Sequence, residues 1–484
     1  MTALRIQPGT LLAAGLAVGL GFAAAELGTK ALALVIAAPC AVLLLAQPRW
    51  SFWLLIASIP VTVDFGSGLT VTRLVIPLVV ASIVGNAILR RCPWPNPVGS
   101  PAALTGTLFF VAIALSVATA SLMHGALVDG VRVNKEFTGY VTRMVLFLLT
   151  LGMVRSDEDV RDVTRVMVIA GVIEALVVMA QVHFRLVLPG DWRSTAINNV
   201  EGTSGDFRAE GTTPHPIYLA GYLQMVLPFA MLVGLQARLG GRLLALGAVA
   251  LLMYAWSAAV SRSSMLGLVA MAATALCIWS RVGRALVIGC AVALVLALAV
   301  HGWSLTDLAQ TIEHLRNFGS HLRADQLTSS AGSLQFRMES SVGGWNLFLA
   351  HPLTGVGLGQ ALYVYMAFLP IWADSPFHPQ DIHNAFVGVA AEAGLLALLT
   401  LLALWAFALR GVQAAWRDPV LGPYARTLLV VLVGQLVFVC LTPMVRDMWF
   451  TVAFGAALGQ IMKHKVRTRP AEGPSDEAQL PGQT

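Results

Sequence analysis

Residues 384–410 read NAFVGVAAEAGLLALLTLLALWAFALR, with a single acid, Glu392, inside the stretch and a single base, Arg410, at its end. About 20 apolar residues at a rise of 1.5 Å cross the hydrocarbon core of a bilayer. In lipid the backbone must satisfy its own hydrogen bonds, which a helix does within one segment. The stretch is therefore predicted to be a membrane-spanning helix.

The rest of the chain has the same character. Its 484 residues are 57% hydrophobic and only 12% charged, and the mean hydropathy is +0.76. A soluble protein of this size carries about 25% charged residues. Apolar runs lie near residues 10–27, 31–47, 51–66, 71–90, 102–123, 137–154, 161–187, 215–236, 242–260, 263–280, 283–301, 384–410, 424–442 and 446–462. The predicted fold is an all-α integral membrane protein with about 12 (12–14) transmembrane helices.

Basic residues in alternate short connections orient these helices. They are Arg90 and Arg91; Arg155, Arg161 and Arg165; Arg238 and Arg242; Arg281 and Arg284; and Arg410, Arg417 and Arg426. The positive-inside rule places these connections, and both termini, in the cytoplasm. The net charge of +6 is therefore an orientation signal and does not indicate nucleic-acid binding. The basic residues between 463 and 469 are expected to contact anionic membrane lipids.

The two longest polar connections, 188–214 and 302–383, then face outward. The predicted organisation is an N-terminal transmembrane bundle (1–301), a large periplasmic loop (302–383), C-terminal transmembrane helices (384–463) and a disordered cytoplasmic tail (464–484). Helical patterns from Leu305 to Leu315 and from Phe336 to Leu349 predict a partly helical loop that lies against the outer interface.

Arginines stand out among the outward-facing polar residues. The planar guanidinium group of arginine donates two parallel hydrogen bonds to phosphate oxygens and keeps its charge. Several arginines near the outer interface would suit a lipid-linked diphosphate, whereas each alone could simply reach up to the lipid headgroups. The candidates are Arg208, Arg262, Arg337, Arg446 and Arg193.

His383 is the residue best suited to proton transfer near neutral pH. Asp381 is a candidate orienting partner, and Asn384 is expected to cap the following helix. Single histidines such as His215, His351 and His378 are more often satisfied polar groups. The intramembrane acids Glu174 and Glu392 are expected to be structural.

Metal binding has little support in the sequence. His378, Asp381 and His383 match no strong ligand spacing. The Asp157–Asp159 pair follows Ser156 in a basic cytoplasmic connection, where it is typical of a helix-capping turn. The prediction is therefore no metal and no cofactor.

Four ordered fragments between residues 205 and 400 resemble the O-antigen ligase family, part of the O-antigen ligase/polymerase superfamily of bacterial inner membranes. They are Arg208-x-x-Gly211 with His215-Pro216 and the following Tyr218–Leu223 helix; Ser261-Arg262-Ser263; Arg337 with Trp345 and His351–Gly359; and His383-Asn384 leading to Ala391-Glu392-Ala-Gly394-Leu-Leu. One position departs from the family, because Ile217 follows Pro216 where the family often has asparagine.

The resemblance implies a helical, integral-membrane glycosyltransferase that needs no metal and acts in lipopolysaccharide biosynthesis at the Gram-negative inner membrane. It would transfer a glycan from undecaprenyl-diphosphate-linked O-antigen to lipid A–core oligosaccharide on the periplasmic face, with inversion. His383, Arg208 and Arg262 would be catalytic. The residues implied in substrate binding are Arg208, Arg262, Arg337, Arg446, Asn384 and His215.

Other functions fit parts of the same pattern. An O-antigen polymerase would use the same lipid-linked donor, and a related ligase could act on protein acceptors. A secondary transporter for an anionic solute would also explain arginines and an intramembrane acid. That class predicts discontinuous helices that meet near the bilayer midplane, whereas the arginines here lie at the ends of spans.

Overall fold

The computed structural model describes residues 42–61, 70–89, 99–124, 129–184, 208–259, 261–301, 325–369, 381–443 and 446–468. These residues form helices joined by turns. The helices are α1 (Pro48–Ala57), α2 (Val71–Ile88), α3 (Pro101–His124), α4 (Gly130–Met153), α5 (Asp157–Phe184), α6 (Pro216–Gln236), α7 (Leu239–Ala258), α8 (Arg262–Trp279), α9 (Arg281–His301), α10 (Asp325–Ala350), α11 (Ala361–Val364) with a 3₁₀ turn (Tyr365–Phe368), α12 (Ala385–Ala415), α13 (Gly422–Val439) and α14 (Arg446–Thr468).

Eight helices within the described residues are long and apolar enough to cross a membrane, namely α2, α3, α5, α6, α7, α8, α12 and α13. The prediction of an all-α membrane protein is confirmed. The total of 12–14 spans stays a prediction, since the first apolar run and most of the second lie outside the described residues. In the run predicted at 51–66, residues 51–61 are described, and their helical part belongs to the short helix α1, whose ten residues fall below the length that spans a bilayer.

Burial distinguishes the centre of the bundle from its edge. In the most apolar 18 residues of α6 and α13, 72% and 67% of the residues are buried inside the protein, against 11% in α7. Because side chains that face lipid remain exposed in the isolated protein, α6 and α13 are central and α7 is peripheral. The centre is closely packed around Trp449, whose ring contacts Phe109 and Phe147 at centroid distances of 5.0 and 6.1 Å.

Polar contacts mark the two ends of the bundle. At one end Lys465 Nζ lies 2.8 Å from Asp157 and 3.0 Å from Asp418. At the other end Arg132 forms an ion pair with Asp381. The second end carries the turns before α6, α8 and α12, so the residues selected from the sequence lie at the same end of the bundle.

Helix α12 is interrupted at Gly394, which has a φ of 74°. A loop of residues 352–359 fits against the interruption. The backbone N–H groups of Val356 and Gly357 donate to the carbonyls of Ala391 and Glu392 at 2.9 and 3.0 Å. Backbone groups released by the break are thus satisfied by protein, as a membrane interior requires.

Glycines in this loop permit the close approach. Gly355, Gly357 and Gly359 all have positive φ. A Cβ at Gly355 would overlap the backbone of Ala391 and Glu392, and one at Gly357 would overlap Ala120 of α3. The GVGLG pattern is therefore required by the packing of the loop between α12 and α3.

Gly355→Ala is expected to destabilise the protein by at least about 2 kcal/mol, because alanine adds left-handed strain to the overlap with α12. Thermal unfolding in detergent should show a loss of roughly 5 °C or more. Gly388→Ala is the matched control on α12, since the nearest atom to its added Cβ is 3.9 Å away. Equal melting temperatures for the two variants would contradict the role assigned to the loop.

Candidate functional site

The segment before α6 is fixed by two polar side chains from α5. The side-chain amide of Gln181 exchanges two hydrogen bonds of 2.8 Å with the backbone of Gly211. The carboxylate of Glu174 accepts from the N–H and hydroxyl of Thr212 at 2.5 and 2.6 Å. Glu174 therefore holds the Arg208 segment in place, which accounts for an acid inside a span.

This support positions Arg208 beside the start of α8. Its Nε and Nη2 donate to the carbonyl of Ala259 at 3.3 and 3.2 Å. Arg262 is the first residue of α8 and is exposed, with Ser261 as the helix cap. Two N–H groups of the Arg208 guanidinium thus bind the turn that leads into α8, where Arg262 is the first residue. The side chains of Arg208 and Arg262 therefore start from the same part of the bundle.

Arg337 joins this region from α10. Its Nη1 donates to the hydroxyl of Ser263 and, at 3.3 Å, to the carbonyl of Leu441. Burial, followed by the neighbouring charges of Arg262 and Arg208, lowers the pKa of the Arg337 guanidinium. A like charge lowers the pKa of a neighbour only at short range, so Arg262 and Arg208 lie near Arg337. We call Arg208, Arg262 and Arg337 the arginine cluster.

His383 lies next to the arginine cluster, immediately before α12. Its Nδ1 lies 2.8 Å from the carbonyl of Asp381. A carbonyl only accepts, so Nδ1 carries the proton in this contact and the neutral ring has its lone pair on Nε2. Burial and the charge of Arg337 lower the pKa of His383. The imidazole is thus neutral near pH 7, as a general base must be.

The contact between Asp381 and His383 is made by the backbone of Asp381. The backbone carbonyl of Asp381, and not its carboxylate, binds the imidazole. The carboxylate forms an ion pair with Arg132 of α4. The sequence did not indicate this ion pair, because Arg132 is distant from Asp381 along the chain.

His215 has a structural contact in addition to its position beside the cluster. Its Nδ1 accepts from the N–H of Ile217 at 3.1 Å and caps α6. Burial, followed by the charges of Arg208, His383 and Arg337, lowers the pKa of His215 to about 4. The neutral ring therefore presents an N–H at Nε2, so His215 can donate a hydrogen bond but is a poor proton acceptor.

The remaining predicted residues have different environments. Asn384 caps α12, with its side-chain oxygen accepting from Phe386 and Val387 at 3.1 and 3.2 Å. Arg446 begins α14, and its side chain lies outside the described part. Arg193 and His378 also lie outside it. Among the described residues no three His, Cys, Asp or Glu side chains come together as a metal site.

A polar cavity beside Asp381 and Asn384 was not predicted from the sequence. Its volume is about 110 Å³, and its polar lining includes Arg132, Glu136, Tyr140, Arg143, Tyr218 and Glu392. The guanidinium group of Arg143 lies over the Tyr140 ring at 4.9 Å. The spacing of Arg132, Glu136, Tyr140 and Arg143 is that of one helix face, a signal that could have identified this wall.

The two neighbouring regions differ in charge. The arginine cluster carries fixed cations that suit phosphate oxygens. The cavity combines two arginines with the carboxylates of Glu136, Asp381 and Glu392 and with two tyrosines. Such a mixture of donors, acceptors and aromatic rings suits sugar hydroxyls. His383 adjoins both regions, because its Nδ1 contacts the carbonyl of Asp381 at the cavity and the nearby charge of Arg337 in the arginine cluster lowers its pKa.

Fold and site together define a multipass helical membrane protein with a polar centre at one end of its bundle. A family model described as O-antigen ligase matches residues 246–402. The resemblance is confirmed over that stretch, which supports membership of the chain in the O-antigen ligase family. The match includes Arg262, Arg337 and His383, whereas Arg208 and His215 precede it. No curated protein matches the chain.

The family covers both O-antigen ligases and O-antigen polymerases, which are glycosyltransferase-like enzymes of O-antigen processing. Its members act generally on lipid-linked glycans and lipid A–core.

Proposed function

We propose that the chain is an O-antigen ligase of the Gram-negative inner membrane. It would transfer a glycan from undecaprenyl diphosphate to lipid A–core oligosaccharide on the periplasmic face, without a metal and with inversion. The observation that carries this proposal is the meeting of Arg208, Arg262 and Arg337 beside a neutral His383.

In the proposed reaction the arginine cluster binds the donor diphosphate. Negative charge grows on the phosphate oxygen as its bond to the anomeric carbon breaks. Arg208 and Arg337 are already fixed by hydrogen bonds to Ala259, Ser263 and Leu441, so they stabilise this charge without reorganising. Arg262 adds a third cation at the open side.

His383 acts in this proposal as the general base. An acceptor hydroxyl attacks the anomeric carbon from the face opposite the diphosphate, and its proton moves to Nε2 of His383. The new glycosidic bond forms as undecaprenyl diphosphate leaves. A single displacement inverts the anomeric centre. The cavity next to Asp381 would hold a sugar next to the reacting hydroxyl, through the carboxylates of Glu136 and Glu392.

The experiment that tests the proposal combines purified protein, lipid-linked glycan and rough lipopolysaccharide in the presence of a metal chelator. The expected product is lipopolysaccharide that has gained the glycan with an inverted anomeric linkage, measured by mass spectrometry and by NMR. Absence of this product, or a strict requirement for a divalent metal, would contradict the proposal.

The same reaction mixture separates the ligase from its nearest alternative. A polymerase would extend the lipid-linked glycan when no lipopolysaccharide is present, whereas a ligase would leave it unchanged. In cells, deletion of a ligase should leave long lipid-linked polymer, and deletion of a polymerase should leave single repeat units.

The break in α12 does not by itself favour the transporter alternative. Discontinuous helices in transporters expose carbonyls to a transported ion. Here the backbone carbonyls of Ala391 and Glu392 accept hydrogen bonds from the 352–359 loop. The hydroxyl of Ser116 also donates to the backbone carbonyl of Glu392, at 2.6 Å. The break is therefore part of the packing.

Arg132 is proposed as a positioning residue, because it binds the Asp381 carboxylate while the Asp381 carbonyl binds His383. Arg132→Ala is expected to lower kcat by roughly tenfold to a hundredfold. The unneutralised carboxylate would raise the pKa of His383. The base acts only when it is neutral. The acidic limb of the pH–rate profile, where activity falls as the pH is lowered, would therefore lie at higher pH in the variant than in the wild type.

Lys135→Ala is the matched control for this variant, since Lys135 is exposed on the same helix. Its pH–rate profile should coincide with that of the wild-type protein. An Arg132→Ala variant with lower activity but an unchanged acidic limb would indicate a general structural defect and would contradict the positioning role.

A further inference from the structure

A second cavity lies at the end of the bundle opposite His383. It is formed by the first turn of α3, the second half of α12 and residues 456–467 of α14, and its volume is about 460 Å³. Arg410 at its edge is separated from His383 by about 40 Å along α12, at 1.5 Å per residue. This cavity is therefore separate from the proposed transfer site.

Three cations line the cavity, namely Arg410, Lys463 and Arg467. Lys463 and Arg467 are four positions apart and lie on one face of α14. Lys465, between them, points elsewhere and binds Asp157 and Asp418. The described residues that line the cavity include no carboxylate. The positive charge at this cavity is thus not balanced by an acid in its wall.

The inner wall of the cavity is apolar apart from one amide. Phe407, Ala414 and Ala456 form part of it. Gln460 also lines the cavity, and its Nε2 is buried with no hydrogen-bond partner among the described residues. A buried amide donor without a partner is costly, and it marks a position where a ligand oxygen would be stabilised.

We propose that this cavity binds one anionic phospholipid from the leaflet at that end of the bundle. Its phosphate would lie among Arg410, Lys463 and Arg467, a glycerol ester oxygen would accept from Gln460, and an acyl chain would lie along Phe407 and Ala456. Basic pockets between membrane helices bind such headgroups. The apolar wall favours a lipid over free phosphate, because an inorganic ion would leave that wall without a partner.

The lipid would also lie beside the tightest contact between α12 and α14. A Cβ at Gly411 would overlap the backbone of Gly455 and Gly459, so the two helices touch without side chains there. Gly411 and Gly459 also line the cavity, so a lipid bound there would contact both helices. The bound lipid is therefore expected to stabilise the pair against heating.

Native mass spectrometry of the full chain in detergent tests the proposal, with phosphatidylglycerol, phosphatidylcholine and inorganic phosphate added separately at equal concentration. We expect one retained phosphatidylglycerol and a rise in melting temperature of about 3 °C. The triple variant Arg410→Ala, Lys463→Ala, Arg467→Ala should bind phosphatidylglycerol on the order of a hundredfold more weakly, at about fivefold for each cation.

The control triple variant is Arg238→Ala, Arg242→Ala, Arg284→Ala, which removes the same charge from exposed positions at the same end outside the cavity. It should bind phosphatidylglycerol as the wild-type protein does. Equal retention of phosphatidylcholine, equal loss in both triple variants, or equal stabilisation by inorganic phosphate would each overturn the proposal. Should the triple variant fail to fold, Arg467→Gln alone is expected to weaken binding about fivefold, and unchanged binding would count against the site.

Discussion

Replacement of His383 by alanine is expected to lower glycosyl transfer by about 10²–10⁴-fold while the protein still inserts and binds the lipid-linked donor. The reason is that the variant loses the proposed base but keeps the arginine cluster, the proposed binding site of the donor diphosphate. His383 makes its ring contact with a backbone carbonyl, so removal of the ring leaves the Arg132–Asp381 ion pair intact.

Transfer is measured as lipopolysaccharide that has gained the glycan, and donor binding as lipid that is retained by the purified protein. His464→Ala is the control, because His464 is exposed on α14 at the opposite end and should leave both quantities unchanged. A His383→Ala variant that transfers glycan at a near-normal rate would exclude this imidazole as the base.

Arg262→Lys is expected to lower kcat by about 10²–10³-fold, even though the positive charge is kept. Lysine is a point charge and cannot reproduce the two parallel hydrogen bonds of a guanidinium group with a diphosphate. Because charge develops on the phosphate as the anomeric bond breaks, the loss should fall more on kcat than on donor binding.

Arg281→Lys is the matched control for Arg262→Lys. Arg281 is the first residue of α9, as Arg262 is of α8, and it lies at the other end of the bundle. Initial rates at several donor concentrations separate kcat from KM for both variants. Full activity of Arg262→Lys would contradict the catalytic role of Arg262 and would favour a role as a contact to lipid headgroups.

Hydrophobic run length predicted most of the helices well, because a membrane helix is defined by the thickness of the bilayer. The run at 71–90 matches Val71–Ile88, and the helical pattern from Phe336 to Leu349 lies within Asp325–Ala350. The run at 137–154 was placed too late, since α4 begins at Gly130, where Asp129 caps it by accepting from Arg132. Charged residues in the first turns lower the mean hydropathy there, so the start of the helix cannot be located from hydropathy alone.

The boundaries outside the apolar runs were less predictable. Helix α14 continues to Thr468, whereas the sequence predicts that the C-terminal helices end at residue 463. The basic residues after that position remain helical, and one of them, Lys465, binds two acids. The break at Gly394 was also not predicted. Nothing in an apolar helix pattern indicates that a distant loop will supply its missing hydrogen bonds.

The candidate site was only partly accessible from the sequence. Arg208, Arg262, Arg337 and His383 could be selected because residue type and span ends restrict the choice. The contacts that fix them could not be. The pairing of Asp381 with Arg132 depends on tertiary packing between segments far apart in the chain. The cap that His215 forms with Ile217 is local, but histidine is not a usual capping residue, so its type did not indicate the role.

The interruption of α12 has a mechanical consequence. A continuous helix transmits tilt along its whole length, and spans tilt as the thickness of the surrounding bilayer changes. Gly394 separates a short segment, which begins at Asn384, from the longer segment that ends at Ala415. The 352–359 loop bonds to both sides of the break, to Ala391 and Glu392 of the short segment and, through Pro352, to Leu395 of the longer one. We therefore expect tilting of the longer segment in thicker or thinner lipid to be taken up at this braced joint before it reaches the imidazole.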